Sequence, residues 1–335
     1  MVTEGQKITF NDIKLSDAVV DFIEEQPNQP GVVYRMSGND YLLLEYGDIT
    51  LDLNLRVRVY LLEQAIKTMK IEGILELAPG VRSVLIHYDS LKIELNRLIE
   101  ILKLIEKTLP FDGEVRIPSR TVELPIACHD HWTRDAILKY MNSIRESGPY
   151  LPDNMEFIAK CNDLSGVDEV IEYLLKTEYL VIGLGDVYLG APCAVPLDPR
   201  YRMVVPKYNP ARTWTPEGSV GLGGAFLCIY PMESPGGYQL VGRTLPIWNT
   251  WQTNKAFEEA PWLLRPFDRI KFRRVSEQEL EKARIDVLNN TYTFKIEESV
   301  FDIKEYNNFL LSVAKEADAF KKRQQRATDI ATIGY

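Results

Sequence analysis

The sequence predicts an α+β protein in which a small mixed domain is followed by a β-barrel domain. A length of 335 residues is enough for two domains of ordinary size. In the first third of the chain, hydrophobic spacing predicts strands and helices in the order β-α-β-β-α-β. Beyond residue 178, short strand patterns are separated by Gly and Pro, which is typical of a closed or nearly closed barrel.

The first domain is predicted at residues 31–112, after a polar segment at 1–30 that shows little periodicity. Apolar residues at helical spacing indicate its helices, and short apolar runs beside turn residues such as Pro79-Gly80 indicate its strands. The predicted elements are strand 41–45, helix 53–69, strands 74–77 and 83–88, helix 91–109 and strand 115–124. This order is that of a ferredoxin-like unit.

The second domain is predicted at residues 113–335. A helical insertion at about 133–176 precedes the barrel strands, and a C-terminal helix is expected at about 303–326. The three predicted helices of the insertion are 133–145, 154–161 and 167–175. Two late helices are marked by capping boxes, Ser276 with Glu279 and Asp302 with Glu305.

The composition indicates a cytoplasmic globular protein. It is 45% hydrophobic and 26% charged, and no apolar run approaches the ~20 residues that span a bilayer. The start of the sequence lacks the pattern of a signal peptide, so we expect no membrane contact. A net charge of −9 without a concentrated basic surface argues against nucleic-acid binding. The four widely spaced cysteines are expected to be free thiols.

His129-Asp130-His131 is the candidate metal motif of the sequence. Two His separated by one residue could lie on the same side of a strand, and His is a common metal ligand. No third His or Cys-x-x-Cys pair is nearby in the sequence, so we predict no metal site. We interpret the motif as a turn that enters the helix at Thr133. His87, in an apolar strand, is expected to be a hydrogen-bonded core or interface residue.

The segment from Gly218 to Ala225 is rich in Gly but does not predict a nucleotide site. A dinucleotide-binding loop opens a helix, whereas the following residues, Phe226 to Tyr230, are strand-like. We interpret the small residues as part of a barrel strand that leaves room for a ligand. Hydrolysis by a Ser-His-Asp triad is also disfavoured, because the sequence contains no Gly-x-Ser-x-Gly elbow.

Residues 181–244 contain the polar groups that we select as a candidate site. Gly is dense here, and it lets the backbone approach a ligand closely. The candidate residues are Asp186, Tyr188, Lys207, Asn209, Arg212, Glu233 and Arg243. Arg, Lys and Asn side chains together can hold a carboxylate and a urea-like ureido group. In the alternative interpretation, Arg212 and Arg243 are buried structural residues. Their partners would then be Asp186, Asp198 or Glu233.

Residues 181–244 resemble the carboxyltransferase region of biotin-dependent urea carboxylase. The resemblance extends from about Val33 to Arg326. Besides 181–244, the segments that carry it are 45–47, 51–56, 79–83, 87–90, 133–134, 151–158 and 263–270. Allophanate hydrolase subunit 1, the B-type subunit of 5-oxoprolinase and the sporulation kinase inhibitor are similar over a smaller set of residues, which includes Gly242-Arg243-Thr244. These shorter proteins lack the insertion around residues 141–158.

The resemblance implies an α/β N-terminal domain followed by a cyclophilin-like β-barrel. It also implies transfer of a carboxyl group from carboxybiotin to urea or a urea-like nitrogen acceptor. The expected donors to the oxyanion and carboxylate lie in one short loop, and the expected substrate-binding residues lie around it. The expected catalytic residues are Lys207, Asn209 and Arg212, and the expected substrate-binding residues are Asp186, Tyr188, Glu233 and Arg243.

The resemblance further implies partners: an allophanate hydrolase subunit 2-like carboxyltransferase half, a biotin carboxylase and a biotin carrier protein. Biotin would be carried by a partner, and ATP and Mg would be used by a partner subunit. Lys70 lacks the flanking methionines and hairpin of a biotin-accepting lysine, so we expect no biotin on this chain. The chain then resembles a free-standing subunit of a split enzyme, inactive alone. Two alternatives are the B-type subunit of an ATP-dependent 5-oxoprolinase and a non-enzymatic histidine kinase inhibitor.

Overall fold

The computed structural model describes residues 8–27, 29–110, 114–185 and 190–332. The chain divides into two compact units. The first comprises residues 1–116 with 302–304, and the second comprises 117–301 with 305–335. Each unit has its own hydrophobic core, so each satisfies the basic requirement for a domain.

The first unit contains a five-stranded antiparallel sheet and three helices. The strands are β1 (Val19–Ile23), β2 (Val32–Met36), β3 (Tyr41–Tyr46), β4 (Ile74–Pro79) and β5 (Ser83–Tyr88). The helices are α1 (Phe10–Ile13), α2 (Leu53–Met69) and α3 (Leu95–Glu106). The strand order is β1-β2-β3-β5-β4. Alternate residues of β3 and β5 are buried, and together with the apolar faces of α2 and α3 they form the core of this unit.

The ferredoxin-like arrangement predicted for this unit is not confirmed. Residues 115–124, predicted as its last strand, belong to a strand at Arg116–Cys128 that pairs in the barrel. The position beside β3 is occupied instead by β2, which reaches it through a short turn with Gly38 at φ +89°. The structure also differs at residues 19–23, which form β1 within the segment predicted to be irregular. Both differences concern strand pairing, which local periodicity does not report.

The second unit contains a closed β-barrel, as predicted, and it is consistent with a cyclophilin-like barrel. The strands are β6 (Arg116–Cys128), β7 (Tyr179–Gly185), β8 (Ala191–Pro196), β9 (Arg212–Thr215), β10 (Ser219–Gly223), β11 (Phe226–Ile229), β12 (Ser234–Gly236), β13 (Gln239–Arg243), β14 (Arg269–Arg274) and β15 (Lys295–Asp302). Seven of them form the order β13-β10-β11-β8-β7-β14-β6, and β6 pairs with β13 to close it. Gly242 lies at this closure, where a Cβ atom would be 2.4 Å from the Ala127 carbonyl oxygen.

Helices cover this barrel at the predicted places. They are α4 (His131–Ser143), α5 (Asn154–Cys161), α6 (Val167–Lys176), α7 (Glu277–Leu288) and α8 (Ile303–Ala331). Asp130 accepts a hydrogen bond from the Thr133 amide and caps α4, which confirms the turn predicted there. The predicted capping box of Ser276 and Glu279 is present at the start of α7. Among the helices of the described residues, none combines the length and the apolar character that a membrane crossing requires.

A buried ion pair connects α2 to the end of α3 in the first unit. Arg58 is 5% exposed and Glu106 is 0% exposed, and Arg58 Nη2 lies 2.6 Å from Glu106 Oε2. The Tyr46 hydroxyl donates to the other carboxylate oxygen. Arg58 also donates to two backbone oxygens at the C-terminal end of α3. One belongs to Glu106, the last residue of the helix, and the other to Pro110, in the segment that follows it. Burial and the Glu106 charge raise the pKa of Tyr46 well above its usual value, so its hydroxyl stays a donor.

We predict that Arg58→Met lowers the free energy of unfolding by ~3–5 kcal/mol, because it leaves the buried Glu106 carboxylate without its cation. Urea unfolding followed by circular dichroism measures this change. Arg97→Met is the matched control, since Arg97 pairs with Glu100 on the surface and both side chains are more than 60% exposed. Its effect should be below ~1 kcal/mol. Equal effects of the two variants would contradict the prediction.

Candidate functional site

The loop at residues 206–211 is held by buried tyrosines. The Tyr150 hydroxyl donates to the backbone oxygen of Asn209 at 3.0 Å, and the Tyr140 hydroxyl donates to that of Pro210 at 2.9 Å. Tyr140 lies on α4 and Tyr150 lies between α4 and α5, and their hydroxyl oxygens are 3.1 Å apart. Buried hydroxyl groups need hydrogen-bond partners, so the tyrosines and the loop carbonyls fix each other's positions.

Tyr208 anchors the centre of the same loop. Its backbone N–H donates to the Gly237 oxygen at 2.6 Å, and its hydroxyl lies 2.7 Å from Asn154 Nδ2. Asn154 is the first residue of α5 and is fully buried. Its Oδ1 atom also accepts the backbone N–H of Leu240 on β13 at 2.9 Å. One buried amide therefore connects the loop, a helix and the barrel wall.

Lys207 precedes this anchor and is exposed to solvent. Its Nζ atom lies 4.9 Å from the centroid of the Tyr238 ring. The negative face of an aromatic ring attracts a cation, so Tyr238 orients the ammonium without neutralising it. Within the described parts of the chain, no carboxylate forms an ion pair with Lys207. Its charge is therefore available to an anionic or strongly polar ligand.

Beside Lys207, a row of small residues crosses four strands of the barrel, and we call it the small-residue row. It consists of Gly183 on β7, Cys193 on β8, Cys228 on β11 and Gly221 on β10. Gly183 pairs with Cys193 and Gly221 pairs with Cys228. Since β8 and β11 are antiparallel and Leu227 pairs with Ala194, this register places Cys228 opposite Cys193, one step along. Residues paired across a sheet face the same side, so this row forms one shallow surface.

The two ends of the small-residue row differ. A Cβ atom on Gly183 would have no neighbour within 4 Å among the described residues, so this end is open within that part of the chain. At the other end, a Cβ atom on Gly221 would lie 2.8 Å from the Cβ atom of Tyr238. One on Gly223 would lie 2.6 Å from the Tyr238 ring. Tyr238 therefore packs directly on glycine backbone and limits the row on the side of Lys207.

Among the described residues of the row and its border, Lys207 carries a charge, whereas Cys193, Cys228 and Tyr238 are neutral at neutral pH. Burial raises the pKa of Cys193 to about 11 and that of Cys228 to about 12, although the charge of Lys207 acts in the opposite direction on both. Burial also raises the pKa of Tyr238. At neutral pH the two thiols and the phenol therefore keep their protons. The site combines one positive charge with an uncharged surface.

Arg212, the first residue of β9, lies beneath the site rather than at its surface. Only 1% of it is exposed. Its guanidinium stacks 4.5 Å from the centroid of the Tyr208 ring, and Nη1 donates to the Tyr238 oxygen at 2.7 Å. Nε donates to the Thr215 hydroxyl at 3.3 Å. Arg212 is thus buried, as the alternative interpretation expects, but these contacts are with aromatic and neutral groups rather than carboxylates. It supports the two tyrosines that flank Lys207.

The other predicted residues of the central loops are placed differently. Asn209 is exposed in the same loop as Lys207, while its backbone oxygen is bound by Tyr150 and Arg145. Asp186 and Tyr188 lie outside the described residues, between the end of β7 and the start of β8. The structure therefore brings Lys207, Asn209 and Arg212 together and leaves the roles of Asp186 and Tyr188 as predictions.

Arg243 is held at a separate place. Its Nε atom donates to the Glu217 backbone oxygen at 2.8 Å, and its guanidinium lies 4.8 Å from the centroid of the Trp132 ring. Burial and the nearby Arg284 cation lower the pKa of Arg243. Glu233 is exposed. Arg243 thus has a local carboxylate neighbour, Glu217, that the sequence analysis did not select.

The two histidines of the candidate metal motif each face a different carboxylate. His129 Nε2 lies 2.7 Å from Asp153, and His131 Nδ1 lies 2.6 Å from Glu277. Within the described ranges, no group of three or more His, Cys, Asp and Glu residues is placed to hold a metal ion. His87 lies on β5 and stacks on Tyr41, with ring centroids 4.4 Å apart.

A second cleft in this unit has a volume of about 510 Å³ and is lined by Arg120, Asn254 and Arg265, among others. Arg120 is buried, and its guanidinium donates to both carboxylate oxygens of Asp268, at 3.0 and 2.5 Å. Arg265 pairs with Glu259 at 2.5 Å. Both arginines already have carboxylate partners, whereas the exposed Lys255 also lines this cleft.

The site predicted from the sequence lacked several of its residues: the tyrosines at 140, 150, 208 and 238, Asn154, and the cysteines at 193 and 228. Tyr238 directly follows Gly236-Gly237 in the central block. This position is the sequence feature that could have identified Tyr238 as a site residue. Tyr150 and Asn154 lie in the insertion around 141–158. Their function as anchors depends on contacts with residues more than 50 positions away, which periodicity does not reveal.

Comparison with known families agrees with the resemblance in the sequence. Residues 32–257 match the family described as carboxyltransferase domain, subdomain C and D. This match covers more than half of the chain and includes the anchored loop and the small-residue row. The chain belongs to this carboxyltransferase-domain family.

Individual proteins refine this assignment. The chain is 45% identical to urea amidolyase of Lachancea kluyveri over 295 residues, which are 88% of this chain and 16% of that protein. Its fold matches the crystal structure of Kluyveromyces lactis urea carboxylase with a TM-score of 0.85 and 38% identity, covering 94% of this chain and 28% of that one. It is 28% identical to the B-type subunit of 5-oxoprolinase from Bacillus subtilis over 72% of this chain and 92% of that protein. The chain thus spans a small part of the amidolyase and carboxylase.

We predict that Arg212→Met lowers the free energy of unfolding by ~2–4 kcal/mol, because it removes buried charge-assisted hydrogen bonds and leaves the Tyr238 oxygen unpaired. Lys207→Met is the matched control in the same loop. This variant loses an exposed cation–π contact, so it should lower the free energy of unfolding by less than ~1 kcal/mol. Urea unfolding of both variants measures the difference. A stable Arg212→Met protein would show that Arg212 does not support the loop.

Proposed function

We propose that this chain forms a carboxyltransferase site that passes a carboxyl group from carboxybiotin to a nitrogen of urea or a urea-like acceptor. The observation that carries the proposal is the exposed ammonium of Lys207 beside the open small-residue row. The likeness to urea amidolyase and urea carboxylase supports the same chemistry. The amidolyase and carboxylase are much longer than this chain, so their whole activity is part of the proposal.

The small-residue row suits a planar ureido group. Its side chains are short and neutral, so a flat ligand meets no long side chain there. The open position at Gly183 gives space at one end, and the Tyr238 ring gives an aromatic surface at the other. Lys207 supplies the cation that a carboxylate or a polarised ureido oxygen favours. Carboxybiotin, when bound, supplies the activated carboxyl group.

Lys207 acts in this proposal on the charge that develops during transfer. Its ammonium donates to the oxygen that becomes negative as the carboxyl group leaves its donor nitrogen. Such a donor accelerates the reaction because it stabilises the transition state more than the ground state. The Tyr208–Asn154 contact and the two tyrosines hold the loop in place before a ligand binds. This preorganisation reduces the reorganisation needed during the reaction.

The remaining residues receive supporting roles. Asn209 offers an exposed amide in the same loop for the acceptor, and Arg212 is a positioning residue rather than a ligand contact. Asp186 and Tyr188 keep the proposed role of orienting the acceptor nitrogen. Glu233 stays a proposed substrate-binding residue.

We also propose that the site works together with other components. These are a second carboxyltransferase half similar to allophanate hydrolase subunit 2, a biotin carboxylase and a biotin carrier. Biotin is attached to the carrier, and the carboxylase uses ATP and Mg. The names and lengths of the amidolyase and carboxylase relatives support this proposal.

A second candidate function is that of the B-type subunit of a 5-oxoprolinase. The similarity to the Bacillus subtilis protein favours it, but at a lower identity than that to urea amidolyase. The two functions differ in their substrate. Nucleotide hydrolysis by the assembled complex that depends on 5-oxoproline, and not on urea, would favour the second candidate.

We predict that Lys207→Met lowers urea-dependent carboxylation about a hundredfold without lowering the melting temperature. Loss of one oxyanion donor typically costs ~3 kcal/mol of barrier. Product formation from bicarbonate and urea should be measured in the complex assembled with the second carboxyltransferase half, the biotin carboxylase and the carrier. Lys282→Met, which changes another exposed lysine of the same unit, on α7, is the control and should leave turnover unchanged. Equal turnover of the two variants would remove Lys207 from the mechanism.

We predict that Gly183→Val preserves stability but raises KM or lowers turnover at least tenfold. A side chain there enters open space beside the cysteines and competes with the ligand. Gly223→Val is the contrasting variant, because its Cβ atom would collide with the Tyr238 ring at 2.6 Å and destabilise the fold. Thermal unfolding and steady-state kinetics separate the two effects. A stable and fully active Gly183→Val enzyme would show that the row does not bind substrate.

A further inference from the structure

Cys193 and Cys228 are placed as a cross-strand pair. They lie on adjacent antiparallel strands, one step along from the paired residues Ala194 and Leu227. Directly opposed residues in such a ladder have Cα atoms about 4.5–5.5 Å apart. A disulfide bridges Cα atoms at about 4.4–6.8 Å, so this spacing suits one without movement of the strands.

Both cysteines lie in the small-residue row of the candidate site and are half-buried residues. The charged and titratable groups that act on them come from the neighbouring loops: the ammonium of Lys207 and the phenol of Tyr238. The other two cysteines have different surroundings. Cys128 pairs with Gly242 at the barrel closure, and Cys161 is buried at the end of α5. The described strand pairing therefore opposes these two cysteines and no others.

We propose that Cys193 and Cys228 form a dithiol that a low-molecular-weight disulfide of the glutathione type oxidises to a cross-strand disulfide, which reversibly closes the ligand site. The thiolate of one cysteine attacks the small disulfide, forms a mixed disulfide and releases one small thiolate. The thiolate of the second cysteine then attacks the protein sulfur of the mixed disulfide and releases the second small thiolate. Two protein thiols are oxidised, and one small disulfide is reduced to two thiols.

The surroundings set the rate of this exchange. Burial holds both thiols protonated at neutral pH, so only a small fraction is thiolate. The neighbouring Lys207 favours the thiolate form, so its charge opposes the effect of burial on the pKa of both thiols. The pair is therefore slow to react at neutral pH, and the rate should rise about tenfold per pH unit below the thiol pKa values.

Oxidation changes the surface on which the proposed ligand lies. The new S–S bond draws the two sulfurs to about 2.05 Å and removes both S–H groups from the centre of the small-residue row. The mixed disulfide would also place a peptide-sized group beside Lys207 and Tyr238. Both products reduce access to the site. This consequence rests on the proposed function, whereas formation of the disulfide does not.

The test is incubation of the purified chain with glutathione disulfide at pH 7.5 and 8.5, followed by thiol titration after denaturation and by peptide mass spectrometry. We expect loss of two of the four thiols, a Cys193–Cys228 cross-link, faster reaction at pH 8.5 and full reversal by dithiothreitol. Cys128→Ser should behave like the parent chain, while Cys193→Ser and Cys228→Ser should each form no internal disulfide. Four intact thiols at pH 8.5, or a link that involves Cys128 or Cys161, would overturn the proposal.

Turnover in the assembled complex provides the second measurement. Oxidised chain should lose at least nine-tenths of the urea-dependent activity of reduced chain and regain it with dithiothreitol. Cys128→Ser, which changes a cysteine outside the small-residue row, should lose and regain activity as the parent chain does. If the disulfide forms but activity is unchanged, closure of the site is refuted. If reduced chain has no urea-dependent activity at all, the proposed function fails while the cross-link result still stands.

Discussion

The candidate site depends on hydrogen bonds between buried tyrosine hydroxyls and the backbone oxygens of Asn209 and Pro210. Tyr140 and Tyr150 bring these donors from the helical segment to a loop of the barrel. A buried donor without an acceptor costs about 1–3 kcal/mol, so the loop and the helices are stable in one mutual arrangement. Lys207 is part of that loop, so the position of the loop fixes the position of Lys207. The helical insertion thereby determines the position of Lys207 at the surface of the barrel.

The two cations at this place, Lys207 in the loop and Arg212 at the start of β9, lie in different environments. Arg212 is buried and stacks on Tyr208, and its delocalised guanidinium suits burial against aromatic rings. Lys207 is exposed beside Tyr238 and keeps a compact charge that can meet a ligand. Arg212 also donates to the backbone oxygen of Tyr238. Arg212 therefore helps to fix the tyrosine whose ring orients Lys207. In the proposed function, Arg212 at the start of β9 is the positioning residue and Lys207 in the loop is the ligand contact.

Helices were the best-predicted elements of this fold. The apolar spacing of residues 53–69 gave α2 with the same bounds, and the capping residues placed the start of α7. Strand pairing was predicted less well. Residues 115–124 pair in the barrel, and β2 takes the place beside β3, because pairing depends on contacts far apart in the chain. For the same reason, no local pattern indicated that Cys193 and Cys228 are opposed. The burial of Arg212 follows from aromatic neighbours that its own position in the sequence does not specify.

The most direct test of the account is a crystal structure of the chain with biotin and urea bound. The account predicts that the ureido ring of biotin lies over Cys193 and Cys228, with its oxygen within hydrogen-bonding distance of Lys207 Nζ. Urea should lie between this ring and the open end of the row at Gly183. Binding of both molecules in the cleft lined by Arg120 and Arg265, with the small-residue row left empty, would contradict the account.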